Sequence, residues 1–161
     1  MNIRNGLLLL IILFSLKTSE VFAQSKNDNF SYAFGFLIGE SLSDLLGLTY
    51  KLVDIKGLSQ SLIAVLEGEK TPEEIGASQS RLMKAQVNLG AAMQEGIEIP
   101  KFDKSMSADV GSFYGDALKN EGFAKKDLNR KEFITGVKTS FGKGKTKMTK
   151  EEAEAIVDGY E

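Results

Sequence analysis

The sequence predicts an all-α protein in which two three-helix repeats pack as one intertwined, pseudo-symmetric domain. Apolar residues recur at helical spacing along most of the chain, between N-cap residues and glycines that mark helix ends. In addition, residues 31–44 (SYAFGFLIGESLSD) return in altered form as residues 107–120 (SADVGSFYGDALKN). The two stretches align without a gap, and Ser31, Gly35 and Gly39 then match Ser107, Gly111 and Gly115.

The composition excludes most familiar enzyme chemistry. The chain has 161 residues, 42% hydrophobic and 26% charged, which suits one globular domain with a modest core. Its formal net charge of -2 produces no overall positive field that would attract nucleic acid. Without cysteine or histidine it offers no thiolate, Ser–His pair, disulfide or usual zinc site. We therefore predict no catalytic residue, no cofactor and no metal site, and a protein that is not an enzyme.

Residues 1–23 are predicted to be a cleaved secretory signal peptide. Arg4 supplies a positive start, residues 7–16 form an apolar run, and Val21-Phe22-Ala23 places small side chains where a signal peptidase needs them. Cleavage is expected before Gln24, which predicts a secreted or periplasmic protein. The alternative is an uncleaved anchor, but the apolar run is shorter than the roughly 20 residues that span a bilayer.

The first repeat, residues 24–95, is predicted to begin with a helix from Asn27 to Leu46. This helix is apolar over more than half of its surface, which indicates packing on two sides. Gly35 and Gly39 lie one turn apart and would let another backbone approach closely. The apolar stripe of the same helix includes Phe34, Leu37 and Ile38.

Two further helices complete the first repeat. Asp54 is a good N-cap for the second helix, on which leucines recur at intervals of four: Leu58, Leu62 and Leu66. The third helix begins at Thr71-Pro72-Glu73-Glu74, which combines an N-cap hydroxyl with proline and glutamate in the first turn. It runs to about Glu95 and is the most polar of the three, so we expect it to be the most exposed.

A linker at residues 96–106 and a second repeat at residues 107–161 follow. The linker breaks the helical period, and the second repeat restores the order of caps, glycines and apolar steps. Asn129 with Glu132 predicts a capping box, and Thr149 opens the last helix. Besides Gly111 and Gly115, the residues predicted to pack are Phe113, Tyr114, Phe133, Val137 and Phe141.

The order of these motifs resembles a known family. S-Y-A-x-G-x-x-x-G at residues 31–39, an Asp-capped helix with leucines four apart, and T-x-E-E before a long helix occur in this order. The pattern is similar to the amino-terminal domain of exported FKBP-type peptidyl-prolyl isomerases of the macrophage infectivity potentiator type. The resemblance covers Phe30 to about Met83 well, and Ser107 to Tyr160 less well.

In that family, the helical domain intertwines its first two helices with those of a second subunit, and a separate domain carries catalysis. The resemblance implies the dimerising and chaperone-like part of this function. It does not imply isomerase activity, because we expect no counterpart of the catalytic domain in the 161 residues and because the chain has no tryptophan.

The predicted function is therefore a non-catalytic exported module that binds polypeptide partners through its helices. Because one chain carries both copies of the unit, the copies can bury each other, and we expect a monomer rather than a homodimer. A cleft between the halves, lined by Phe and Met, would supply apolar contacts. The alternatives are a scaffold subunit that joins a separate peptidyl-prolyl isomerase and, further from the sequence pattern, a prolyl isomerase itself.

A run of nine basic residues lies between Lys125 and Lys150, opposed by only two acidic residues. Such a run could bind anionic lipid, but a run of lysines is more often a solvated face. We predict the solvated face, and we predict no binding of nucleic acid.

Overall fold

The computed structural model describes residues 25–44, 48–95 and 104–160. These ranges contain six α-helices, two short 3-10 helices and no strand, which confirms the predicted all-α class. The predicted signal peptide, its cleavage point before Gln24, the last two residues of the predicted first helix (residues 45 and 46) and residues 96–103 of the predicted linker lie outside the described residues. The α-helices are α1 (residues 25–44), α2 (Ile55–Leu66), α3 (Pro72–Glu95), α4 (Ser105–Asn120), α5 (Arg130–Ser140) and α6 (Lys150–Asp158).

The helix starts follow the predicted caps. Asp54 accepts the N–H of Gly57 at 3.0 Å and so satisfies a free donor at the start of α2. The helix ends before Gly68, whose φ of 76° lies in the left-handed region that favours glycine. Helices α3 and α6 each begin with a capping box, in which the Thr hydroxyl accepts the N–H of the Glu and the Glu carboxylate accepts the N–H of the Thr. The pairs are Thr71 with Glu74 at α3 and Thr149 with Glu152 at α6.

One predicted boundary and one predicted capping box need correction. Helix α4 begins at Ser105, so residues 105 and 106, which were predicted as linker, are helical. The capping box predicted at α5 forms only in part: Asn129 accepts the N–H of Glu132 at 3.4 Å, but the carboxylate of Glu132 pairs with Lys147 at 2.5 Å. The N–H of Asn129 instead donates to Ser31 of α1, because α1 lies against the start of α5.

The first helix of each half packs on the second helix of the other half. Helix α1 lies against α5, and α4 lies against α2. The last helices follow the same exchange: α6 packs on α1 where Ala153 meets Ala33 and Phe36, and α3 packs on α4. The helices therefore form two groups of three. One group consists of α1 from the first half with α5 and α6 from the second, and the other consists of α4 from the second half with α2 and α3 from the first.

One apolar cluster joins the two groups into a single core. It includes the fully buried residues Leu58, Leu62, Phe133 and Val137, together with side chains of α1 and α4. Burial of each such side chain contributes roughly 1.5–3 kcal/mol relative to exposure. Helix α3 buries Ile75 but exposes Met83 and Val87, in keeping with its polar sequence.

Candidate functional site

The candidate site is the set of helix crossings between the two halves. At Gly35 of α1, an added Cβ would lie less than 3.0 Å from the carbonyl oxygen of Phe133 in α5. At Gly111 of α4, an added Cβ would lie less than 3.0 Å from the carbonyl oxygen of Leu58 in α2. Real Cβ atoms do not approach backbone atoms this closely, so both crossings depend on glycine. The two glycines match in the repeat alignment, and so do Phe133 and Leu58.

One turn further along, Gly39 and Gly115 extend the same two contacts. A Cβ at Gly39 would lie 3.0 Å from the carbonyl oxygen of Val137, and one at Gly115 would lie 2.8 Å from that of Leu62. Val137 and Leu62 also match in the alignment. All four predicted glycines thus lie where a helix of one half meets the backbone of the other half.

Gly136 of α5 makes a further close contact that the repeat alignment does not reveal. An added Cβ there would lie less than 3.0 Å from the carbonyl oxygen of Tyr32 and 2.7 Å from the amide nitrogen of Phe36. The matching residue in the first repeat is Ser61, so this glycine has no repeated counterpart that could mark it as a contact residue.

Two buried serines connect the halves by hydrogen bonds. The N–H of Asn129, at the start of α5, donates to Ser31 Oγ at 2.7 Å. The N–H of Asp54, at the start of α2, donates to Ser107 Oγ at 3.0 Å. Both serines have 0% exposure. The sequence carries a signal for them, since each opens its matched stretch, but nothing in the spacing indicates which donor they meet.

The other predicted packing residues fall into two groups, with one exception. The buried group consists of Ile38, Leu58, Leu62, Leu66, Phe133 and Val137. The half-buried group, which packs against the core, consists of Phe34, Leu37, Tyr114 and Phe141. The rings of Phe34 and Tyr114 meet edge to face at a centroid distance of 5.9 Å, so α1 and α4 also touch.

The exception is Phe113, which is 45% exposed although its spacing predicted a buried face. The buried face of α4 is centred on Gly111 and Gly115, where the backbone of α2 approaches. Phe113 is two residues from each glycine, or about 200° around the helix, so its side chain is directed away from α2.

The joint between α3 and α4 is polar. Arg81 donates to both carboxylate oxygens of Asp109, at 2.8 and 2.5 Å. Nearby, Lys70 donates to Ser61 and Ser112 at 2.5 and 2.7 Å, and the two hydroxyls hydrogen-bond each other at 2.8 Å. Ser61 and Ser112 are 6% and 0% exposed, so they are not placed to attack a substrate in solvent. Arg81 joins α3 to α4, and Lys70, which precedes α3, joins Ser61 of α2 to Ser112 of α4.

Arg81 sets the charge state of Asp109, whose side chain is 9% exposed. Burial acts to raise the pKa of this carboxyl, but hydrogen bonds from Arg81 and Ser78, with the charges of Arg81 and Lys70, outweigh burial and hold the pKa below its ordinary value. The resulting stability is present above the unfolded pKa of about 3.9 and is lost as the pH falls through the folded pKa.

We therefore expect Arg81→Met to destabilise the protein by an amount that grows as the pH rises through about 3.9, the pKa of an Asp carboxyl in the unfolded chain. Loss of the guanidinium removes the larger part of what lowers the pKa of Asp109 and leaves burial opposed only by Ser78 and Lys70, so the pKa rises and the ionised carboxylate is less well stabilised in the variant. Urea unfolding across this pH range measures the difference between the two proteins. Lys84→Met, at an exposed position of the same helix, should give a small difference that does not change with pH. A constant difference for Arg81→Met would contradict the assigned role of the pair.

A groove of about 580 Å³ opens between the two halves. Its apolar floor is formed by Tyr50, Val53, Ile55 and Ile134, and its rim carries Lys51, Lys56, Lys104 and Lys138. The predicted cleft lining of Phe and Met is not found among its described lining residues. Phe133 and Phe36, whose backbone atoms lie at the crossings, are buried in the core instead.

The basic run between Lys125 and Lys150 is distributed over the surface. Lys125 pairs with Glu67, and Lys147 pairs with Glu132. Lys138 lines the groove, and Lys143 Nζ lies 5.7 Å from the ring centroid of Tyr50 beside it. Part of this run is therefore neutralised by ion pairs, and another part contributes to the groove.

Three findings complete the description of the site. In the part of the chain that the structure describes, no group of three or more acidic, His or Cys side chains could hold a metal ion. No described helix combines the length and the apolar character needed to cross a bilayer. Comparisons with protein-family models, with curated proteins and with solved structures find no match.

Proposed function

We propose that this chain is a non-catalytic exported module that binds polypeptide partners in a chaperone-like manner, with the groove between its halves as the binding surface. The observation that carries the proposal is this open groove, whose apolar floor combines the start of α2 and the segment before it with Ile134 of α5, from opposite halves. Ligand sites are typically concave and mostly apolar with a few polar groups at fixed places. The resemblance of the repeats to the helical domain of exported FKBP-type isomerases supports the same conclusion.

We also infer that the chain is a pseudo-symmetric monomer, in which the two halves supply the helix contacts that two subunits would otherwise supply. Matching residues make matching contacts at both crossings: Gly35 with Phe133 and Gly111 with Leu58. A linked second copy has an effective concentration on the order of millimolar, which favours the intramolecular contact. Light scattering should give the mass of one chain across a wide dilution range, and twice that mass would contradict the inference.

The function is tested by the aggregation of a denatured client protein. At equimolar ratio the chain should delay the rise in light scattering after the client is diluted from denaturant. Ile134→Ser removes an apolar side chain from the groove floor and should reduce the delay, whereas Val87→Ser, on the exposed face of α3, should not. Circular dichroism checks that both variants fold. If several clients show no delay with the unmodified chain, the proposed function is wrong.

A further inference from the structure

We propose that the groove recognises acidic polypeptide segments, specifically an apolar side chain flanked by Asp or Glu residues. This proposal rests on the proposed function and specifies the chemistry of the partner. Its basis is the combination of four lysines on the rim with an apolar floor, in a chain whose formal net charge is -2. The positive charge is local to the groove, so it is a property of this surface and not of the whole protein.

The four rim lysines Lys51, Lys56, Lys104 and Lys138 are exposed, and none makes an ion pair with a carboxylate in the described ranges. Lys125 and Lys147, in contrast, are paired with glutamates. Lys143, beside Tyr50, adds a further positive charge at the edge of the groove. The rim therefore offers several exposed ammonium groups close together, and carboxylates of a bound segment can pair with them.

The apolar floor of the groove provides the second feature that a partner must match. Val53 and Ile55 are each 7% exposed and form a fixed base, whereas Tyr50 and Ile134 are half-buried and present accessible apolar surface. A volume of about 580 Å³ accommodates one or two large side chains. An acidic segment without an apolar residue would leave this floor in contact with water, so we expect both features in the partner.

The halves must be docked for the rim to exist. Lys51 and Lys56 belong to the first half, Lys138 belongs to α5, and Lys104 precedes α4. The hydrogen bond from Asp54 N–H to Ser107 Oγ joins the start of α2 to the start of α4, and so holds Lys56 near Lys104. The positive rim is thus assembled by the same contacts that assemble the fold.

The shape favours a polypeptide over the other polyanions. A membrane surface is best met by lysines that project from an exposed face, but these lysines surround a recess between helices. Single-stranded nucleic acid is held by aromatic side chains on which bases stack, and Tyr50 is the one aromatic residue in the described lining. A narrow extended segment reaches both the floor and the rim.

The test measures binding of the full chain to a fluorescein-labelled peptide of about 12 residues, in which Glu and Asp flank a Leu-Phe pair. A comparison peptide has Gln and Asn in place of the acidic residues. One variant replaces the rim lysines with alanine: Lys51, Lys56, Lys104 and Lys138. The matched control loses the same charge at exposed sites outside the groove: Lys84, Lys119, Lys145 and Lys150.

We expect the acidic peptide to bind at least about tenfold more weakly to the rim variant than to the original chain. The control variant should stay within about twofold, and added salt should weaken the binding of the original chain. Circular dichroism and thermal unfolding verify that both variants are folded. Ile134→Ser should weaken binding of the acidic peptide as well, because the floor is part of the proposed site.

Three results would overturn the proposal. Equal weakening in the rim variant and the control would show an effect of net charge alone. Equal affinity for the acidic and neutral peptides would remove the charge selection, and the proposed function would stand if client aggregation were still delayed. Lysine-dependent binding to vesicles that contain about 30% anionic lipid, without binding of the acidic peptide, would identify a membrane surface instead.

Discussion

Gly111→Ala is expected to destabilise the protein by about 2 kcal/mol or more, although alanine favours a helix over glycine by about 1 kcal/mol. The added Cβ would lie less than 3.0 Å from the carbonyl oxygen of Leu58, which is backbone and cannot rotate away. Helices α4 and α2 must therefore separate, and the core that they share loosens. Small domains are stable by roughly 5–15 kcal/mol in total, so urea unfolding followed by circular dichroism resolves this loss.

Gly76→Ala is the matched control for this prediction. Gly76 also lies within a helix, but an added Cβ there would meet nothing within 4 Å. This variant should gain about 1 kcal/mol from helix propensity alone. Gly35→Ala should behave like Gly111→Ala, because its Cβ would meet the carbonyl oxygen of Phe133. If Gly111→Ala raised stability as Gly76→Ala does, α4 and α2 would not be in backbone contact.

The local features of the fold were predictable from sequence because they depend on neighbouring residues. Asp54, Thr71 and Thr149 cap their helices as predicted, since a cap and its N–H donors lie within one turn. The polar pattern of α3 likewise predicted its exposure. Such signals are short-range and independent of how the helices are arranged in space.

The tertiary features were less predictable because they depend on which helices meet. Periodicity predicted that Phe113 lies on the buried face of its helix. The buried face is instead the one that carries Gly111 and Gly115, where α2 approaches, and Phe113 lies outside it. The rim of the groove illustrates the same limit. Its lysines come from segments far apart in the sequence, and only the packing of α2, α4 and α5 brings them together.

The contacts of the two third helices, α3 on α4 and α6 on α1, differ in polarity, and this difference favours the observed exchange of helices between the halves. The α3–α4 joint is polar, with Lys70 and Asp109, whereas the matching residues at the α6–α1 joint are Met148 and Ala33. If α3 packed on α1, Arg81 would face alanine in place of a carboxylate. Arg81 is 58% exposed and water could still solvate it, but Asp109 is 9% exposed and would lose its ion pair. A buried carboxylate without a partner disfavours the wrong arrangement.

Ser31→Ala and Ser107→Ala together are expected to destabilise the protein by roughly 2–4 kcal/mol. Each replacement removes the acceptor of one backbone N–H, that of Asn129 or that of Asp54. Both serines are fully buried, so the space left by the hydroxyl does not open directly to solvent. The loss should appear as a lower urea midpoint with an unchanged dependence on denaturant.

The two replacements should also be nearly additive, because the two hydrogen bonds share no atom or partner. Ser80→Ala, at an exposed position of α3, serves as control and should be neutral or slightly stabilising. Single variants as stable as the control would show that water replaces the serine hydroxyls. A double variant no less stable than either single variant would show that the two connections do not act independently, and that the halves separate once either is lost.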